Sequence, residues 1–385
     1  MTEVGIDKIG FFTPNFYLDM NDLAEDRNED PNKYLIGIGQ NKQSVIPSSQ
    51  DAVAMAANAA SKIIDETNRN KIDLIIFGTE SGVDNSKSAA IYLQNLLNLN
   101  KNARAFEIKQ ACYGATAGLQ MAKEYIKSHP DKKALVIGSD IARYGLKTAG
   151  EVTQGGGAIA MLISSNPNIM SISDDSAFHS EDIMDFWRPL KNNVALVDGH
   201  YSNDIYEQFF MKTIHDYSDK FNYDLNNLKA ITFHLPYTKM GLKALHKILP
   251  EFSQTKQNEL LTEFESSRVY NKEVGNLYTG SLYLSLLSLI DNSKNLKPGD
   301  QVGIFSYGSG AQGEFYIGTL KDGFKDLKRS NSNLKLIEER TRLNVDEYEK
   351  VFLDGDLPDG NFEITPNKKA RFNFIGVKDL KRQYK

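Results

Sequence analysis

One cysteine, one tryptophan and 11 prolines among 385 residues set the first limits. A lone thiol excludes any disulfide framework and any Cys-rich zinc or iron–sulfur site. It also makes Cys112 the single thiol available for chemistry. Positive charge is not in surplus. Lys+Arg 45 against Asp+Glu 50 leaves a net −5, which argues against a nucleic-acid-binding body. No apolar run reaches the ~18–20 residues of a membrane span; the nearest, 282–290, is broken by Ser285 and Ser288. The start, MTEVGIDKIGFF, lacks the basic stretch and apolar run of a secretory signal. These absences point to a cytoplasmic protein that works without nucleic acid or membrane, in a compartment where a free thiol stays reduced.

What is present is ordinary globular material, 41% hydrophobic and 25% charged, enough for two domains or one large α/β unit. Short β-branched runs bounded by turn residues predict strands at 71–79, 133–140 and 156–164. Helical periodicity lies between them at 50–68, 86–97 and 114–128. The second half repeats the pattern: strands at 229–236, 301–307 and 314–320, helices at 239–249 and 280–290. Alternation of this kind predicts a largely parallel sheet covered on both faces.

The halves also align at near-constant offsets, Phe77 with Phe233, Cys112 with Asn276 and Ile137 with Ile304. Each half runs strand, helix, reactive-looking residue opening a helix, strand. This order suggests an internal duplication, divided into 1–166 with Glu80 and Cys112, and 167–385 with His234 and Asn276. The Asn-, Ser- and Asp-rich stretch 166–185 is the expected boundary. The tail carries an acidic segment, 353–362, and then a basic one, 368–385, whose plain reading is a solvated surface.

Four residues stand out by position. Cys112, in KQACYGAT, sits two residues before a helical pattern. A helix N-terminus favours thiolate and offers free N–H groups to an oxyanion, so the expectation is a thiol pKa below ~8.5. The plainer reading is a buried structural thiol. His234 closes a strand, where parallel sheets present catalytic groups, against the plainer reading of a satisfied core histidine. The other histidines, 129, 179, 200, 215 and 246, sit in polar or Lys-rich surroundings. Glu80 ends an apolar strand as either a cap or a base whose pKa burial raises. Asn276 is either a helix cap or an amide donor. The segment Gly308–Gly313 matches GxGxxG, but a strand follows it. A pyrophosphate would find no helix N-terminus, and a tight turn is the better reading.

Glu80 in GTES, Cys112 in QACYGAT, His234 in FHLPYTKMG, Asn276 in VGNLYTGSLYLSLLSL and Ser309 in FSYGSGAQGEF together resemble the bacterial type of 3-hydroxy-3-methylglutaryl-CoA (HMG-CoA) synthases. DPNKYLIGIGQ, ARYG, TQGGGA, DFWRP and LVDGHYS extend the resemblance over about residues 1 to 350. It implies a thiolase-like α/β fold of five layers, αβαβα, and a homodimer acting on small CoA thioesters. Acetyl-CoA and acetoacetyl-CoA would be substrates, with no cofactor or metal, in the committed condensation toward mevalonate and isoprenoids. Cys112 would carry the acetyl group, Glu80 would be the base, and His234 would hold the acetoacetyl group with Asn276 in support. Asp30, Pro31, Tyr144, Thr153, Ser202 and Ser309 match substrate-contacting stretches, and Lys239 and Lys243 would steer the CoA phosphates. A ketoacyl-ACP synthase III-like enzyme is the alternative, since it too uses Cys, His and Asn but lacks a carboxylate at Glu80.

Overall fold

The computed structural model describes residues 2–192 and 194–385. Nine strands form its main sheet: β1 (Val4–Phe12), β2 (Ile72–Gly78), β3 (Arg104–Ile108), β4 (Lys133–Ala142), β5 (Gly155–Ser165), β6 (Met170–Ser180), β7 (Leu228–Phe233), β8 (Gln301–Gly308) and β9 (Gln312–Leu320). Their order is β7-β8-β9-β6-β1-β5-β4-β2-β3. The principal helices are α1 (Ala52–Ala60), α2 (Ala89–Leu96), α3 (Gly114–Ser128), α4 (Gly199–Phe221), α5 (Thr238–Ile248) and α6 (Ser281–Asn292).

The two ends of this sheet repeat one another. β2 pairs parallel with β4, as β7 does with β8. β4–β5 and β8–β9 are antiparallel, and so are β5–β1 and β9–β6. The repeats meet where β1 and β6 pair through Gly5–Ser171 and Ile6–Met170. The expectation of a largely parallel sheet is therefore corrected: of eight neighbouring pairs, three are parallel and five antiparallel. Each half closes with a strand that reverses against its predecessor, and neither reversal needs a crossover helix.

Adjacent strand residues feed different cores because side chains alternate faces. Ile76, Val136 and Ile304 point into a central core with Leu119 and Ile126 of α3 and Leu282 and Leu286 of α6. Phe77 and Ile137 pack outward under α1 and α2. Phe233 and Phe305 pack outward under α4 and α5. Outer helices, sheet, central helices, sheet and outer helices make the five layers of a thiolase-like fold.

Two local expectations change. The alanine-rich helix spans Ala52–Ala60, not 50–68. Asp65 captures the N–H groups of Thr67 and Asn68, and the Asn68 amide returns to Ile63 O. Such side-chain turns compete with helix propagation. The stretch 166–185 is not a linker: it contains β6, which starts on the buried Met170, Ser171 and Ile172 and carries its Asp174 and Asp175 exposed.

Candidate active site

Cys112 and Glu80 meet at the end of the first repeat. The Cys112 thiol donates to Glu80 Oε1 at 3.1 Å. Cys112 is reached through Ala111, whose φ of 42° is left-handed, a conformation that costs a non-glycine residue about 1–2 kcal/mol. Gly308 permits this bend: a Cβ there would lie 2.6 Å from Gln110 O and 2.7 Å from Tyr113 N. The tight approach of the glycine turn is thus to the loop that carries Cys112. That turn joins β8 to β9 as a hairpin, with Gly308 opposite Gln312, so no helix follows it.

Glu80 is fixed through its backbone. Asp140, fully buried at the end of β4, accepts from the N–H groups of Glu80 (2.7 Å) and Ser81 (3.0 Å) and from the hydroxyls of Thr79 (2.8 Å) and Ser81 (2.9 Å). Its other oxygen accepts from Thr279 N at 3.1 Å, tying the second repeat to the same carboxylate. Arg188 donates to Glu80 O. Burial, then the charge of Asp140, raise the Glu80 pKa to about 8, against the opposing pull of Cys112 and Arg188.

The expected low thiol pKa is corrected. Burial pushes the Cys112 thiol well above its usual value, and Glu80, Asp140 and Asp185 add to the effect. Helix α3 begins only at Gly114, so its partial charge is weaker at the thiol than the adjoining carboxylates.

The second repeat supplies neutral groups. His234 follows β7, is 2% exposed, and donates its backbone N–H to Phe305 O at 3.0 Å. Its Nδ1 has no hydrogen-bond partner among the described residues. Burial lowers its pKa to about 3, so the imidazole is uncharged at neutral pH. Asn276 Oδ1 accepts from Tyr278 N (2.8 Å) and Ser281 Oγ (2.9 Å). This orients the amide so that its NH2 makes only a 3.5 Å contact with Tyr144 OH.

These residues converge on a cavity of about 470 Å³. Its walls hold Cys112, Tyr144, Thr153, Ser202, His234, Lys243, Asn276 and Ser309, eight of the twelve residues singled out from the sequence. Glu80 lies behind Cys112 through their hydrogen bond. Asp30, Pro31 and Lys239 are outside the lining. Asp30 caps the turn before the 33–38 segment, and Lys239 Nζ reaches Ile36 O at 3.1 Å. Gly37 and Ile38 of that segment do line the cavity.

Several residues that line or brace the cavity escaped the sequence reading. Asp185 holds both sides of Ser309, accepting from Gly310 N (2.9 Å) and Tyr307 OH (2.8 Å), and also from Ser202 Oγ (3.1 Å). Tyr278, at φ 41°, lines the cavity with its hydroxyl unpaired among the described residues. His200, read as a polar-surface histidine, is exposed and borders the cavity. A polar residue closing an apolar strand was the available signal for Asp140; Asp185 and Arg188 lie within the DFWRP stretch.

A thiol beside a carboxylate, facing a neutral histidine and an amide across two repeated α/β halves, defines a condensing, acyl-transferring enzyme of the thiolase-like class. Comparison with known proteins narrows this. Residues 1–168 match the family model for the hydroxymethylglutaryl-coenzyme A synthase N terminal region, and 257–352 match that for its C terminal region. The chain is 45% identical over 382 residues to a hydroxymethylglutaryl-CoA synthase of Enterococcus faecalis, covering 99% of both. It is 32% identical to the polyketide biosynthesis 3-hydroxy-3-methylglutaryl-ACP synthase PksG of Bacillus subtilis, over 100% of this chain and 99% of that one. A crystal structure of HMG-CoA synthase complexed with CoA superposes with a TM-score of 0.96 at 43% identity, covering 99% of each chain. The chain belongs to the hydroxymethylglutaryl-CoA synthase family.

Proposed function

We propose that this chain condenses acetyl-CoA with acetoacetyl-CoA and water to HMG-CoA and CoA, using Cys112, Glu80 and His234 as its catalytic residues. The observation that carries the assignment is the 3.1 Å contact between the only thiol and a partly buried carboxylate. Cys112 sulfur attacks the acetyl-CoA carbonyl, forming acetyl-Cys112 and releasing CoA thiol. Glu80 then takes a proton from the acetyl methyl group, and the resulting carbon nucleophile attacks the acetoacetyl ketone. Water hydrolyses the Cys112 thioester to free the product.

The remaining groups serve this sequence. The backbone N–H groups of Cys112 and Ser309 are the oxyanion donors. His234, being neutral, polarises the ketone as a hydrogen-bond donor, with the Asn276 amide beside it. Tyr144, Thr153 and Ser202 line the acyl end, while Lys243 on α5 meets the CoA phosphates, with Lys239 one turn away. Asp30 and Pro31 set the start of the segment that borders the cavity. No cofactor enters this scheme.

The active species is a cytoplasmic homodimer in which each chain consists of two similar halves, 1–166 and 167–385. Strand β3 supports the dimer, since it ends the sheet with one ladder of backbone groups available to a second copy. No helix among the described residues is long and apolar enough to cross a membrane. The test is intact-mass analysis after acetyl-CoA exposure. A single acetyl adduct on Cys112 that acetoacetyl-CoA discharges into HMG-CoA is the expected result. Discharge only by an acylated carrier protein would favour the ketoacyl-synthase reading.

A further inference from the structure

The basic C-terminal tail folds into a three-stranded sheet of its own, Phe362–Glu363, Phe374–Lys378 and Lys381–Tyr384. It does not stand apart from the site. Its last strand grips the start of helix α1: Arg382 Nη2 and Tyr384 OH both donate to Asp51 Oδ2 at 2.7 Å. Asp51 is the N-cap of α1, its other oxygen accepting from Ala54 N at 2.8 Å. Around this grip the tail is stitched to the same helix. Asn58 accepts from the N–H groups of Arg371 (3.1 Å) and Phe372 (3.0 Å) and donates to Phe372 O (2.9 Å). Gln50 donates to Phe372 O (3.0 Å) and Asn373 Oδ1 (2.8 Å).

The capped end of α1 leads to the catalytic carboxylate. Ala52 O, one residue past the cap, accepts from Ser139 Oγ at 2.7 Å. Ser139 O accepts from Thr79 Oγ1 at 2.8 Å, and the next residue, Asp140, accepts from Glu80 N at 2.7 Å. Beyond Glu80 the chain runs through bends into α2, and there the tail makes its second contact, Tyr384 against Tyr92 with ring centroids 5.4 Å apart. The segment carrying Glu80 is thus held at both ends by elements on which the tail sits.

We propose that the C-terminal hairpin is a positioning clamp for Glu80, with Arg382 and Tyr384 acting through Asp51 and Ser139. This rests on Glu80 being the base proposed above. A carboxylate that must reach a methyl proton tolerates little displacement, and a misplacement of about 1 Å can cost about 100-fold. Acylation of Cys112 removes no methyl proton, so loosening the clamp should separate the two half-reactions.

The variant is Arg382→Met with Tyr384→Phe, which deletes both donors to Asp51 and keeps the apolar packing on Phe374 and Tyr92. Acetyl-Cys112 formation should stay within about twofold, while condensation falls about 10-fold. Amide exchange over 79–88 should speed up as the Asp140 contacts open more often. The rate profile should shift too. The groups facing Glu80 — Cys112, Asp140, Arg188, Tyr144 and Tyr278 — remain, but water gains access, and the inflection near pH 8 should move lower. Equal loss of both half-reactions with an unmoved pH profile would make the tail a stability element only. Unchanged exchange protection over 79–88 overturns the clamp regardless of catalysis, whereas failure of the wild-type protein to take an acetyl group overturns the functional reading. Arg382→Lys with Tyr384 retained should recover most of the condensation rate; its failure to do so counts against the clamp.

Discussion

The two halves of the site have the same scaffold and opposite electrostatics. Glu80 follows β2 and His234 follows β7, strands that correspond in the repeat. Cys112 and Asn276 correspond likewise, and each lies within two residues of a left-handed non-glycine, Ala111 or Tyr278. In the first half, burial raises a carboxyl to about 8 and a thiol well above its usual value, so protons are held tightly and close together. In the second, burial drives an imidazole to about 3, so no proton changes hands near neutrality. In the proposed reaction one geometry therefore gives a proton-handling side and a hydrogen-bonding side. The comparison teaches that desolvation acts on acids and bases in opposite directions, and that residue type decides which role a repeated position takes.

The hardest break in that division is Cys112→Ala. Both acetyl transfer and condensation should fall by about 10⁴ or more, with the fold retained, because no other thiol exists to replace it. Intact-mass spectrometry and product assay check this together. Residual condensation well above background would end the covalent scheme.

Glu80→Ala comes next and acts on one step. Condensation should drop roughly 10²–10⁴-fold, the usual range for a lost general base. Acetylation should fall far less, since removing Glu80 also removes the charge and hydrogen bond that hold the thiol proton in place. Equal loss in both steps would make Glu80 a structural cap and reopen the ketoacyl-synthase alternative.

His234→Ala probes the neutral side. Its loss should raise KM for acetoacetyl-CoA about 10- to 100-fold with acetylation little changed. The wild-type pH profile should carry no inflection near 6.5, where a free imidazole titrates, and one near 8 from Glu80, rising with pH as the base form appears. A histidine-like inflection would mean that water reaches the second half and that the contrast is weaker than the burial indicates.

How much of this was legible follows from what is local in a chain. Strand ends, helix openings and the single thiol are local, and they brought Glu80, Cys112, His234 and Asn276 into view. Pairing direction is not local: nothing within the 156–164 run says that its neighbour is antiparallel. Asp140 and Asp185 were missed because their importance lies in partners far along the chain, Thr279 for one and Gly310 for the other. The thiol pKa was misjudged because a nearby helix start is readable from sequence, while the burial of the thiol and the three carboxylates converging on it from elsewhere are not.

The smallest effect is on stability, and its sign separates a tuned base from an ordinary buried side chain. In the unfolded chain Glu80 ionises near 4.5; in the folded protein it keeps its proton to about 8. Its contribution to stability is therefore fullest below about pH 4.5 and declines as pH rises toward 8, because the unfolded state is the one that gains by ionising. Glu80→Gln keeps the shape and cannot ionise. Relative to it, the wild type should match at pH 4 and become steadily less stable toward pH 8, seen as a melting temperature a few degrees higher in the variant. Thermal unfolding of both proteins from pH 4 to pH 9 measures this directly. A constant difference across that range would mean that Glu80 titrates normally, and the proton-holding half of the site would lose its physical basis. A gap that widens with pH and levels near 8 would show the carboxyl kept at its working pKa at the expense of the fold.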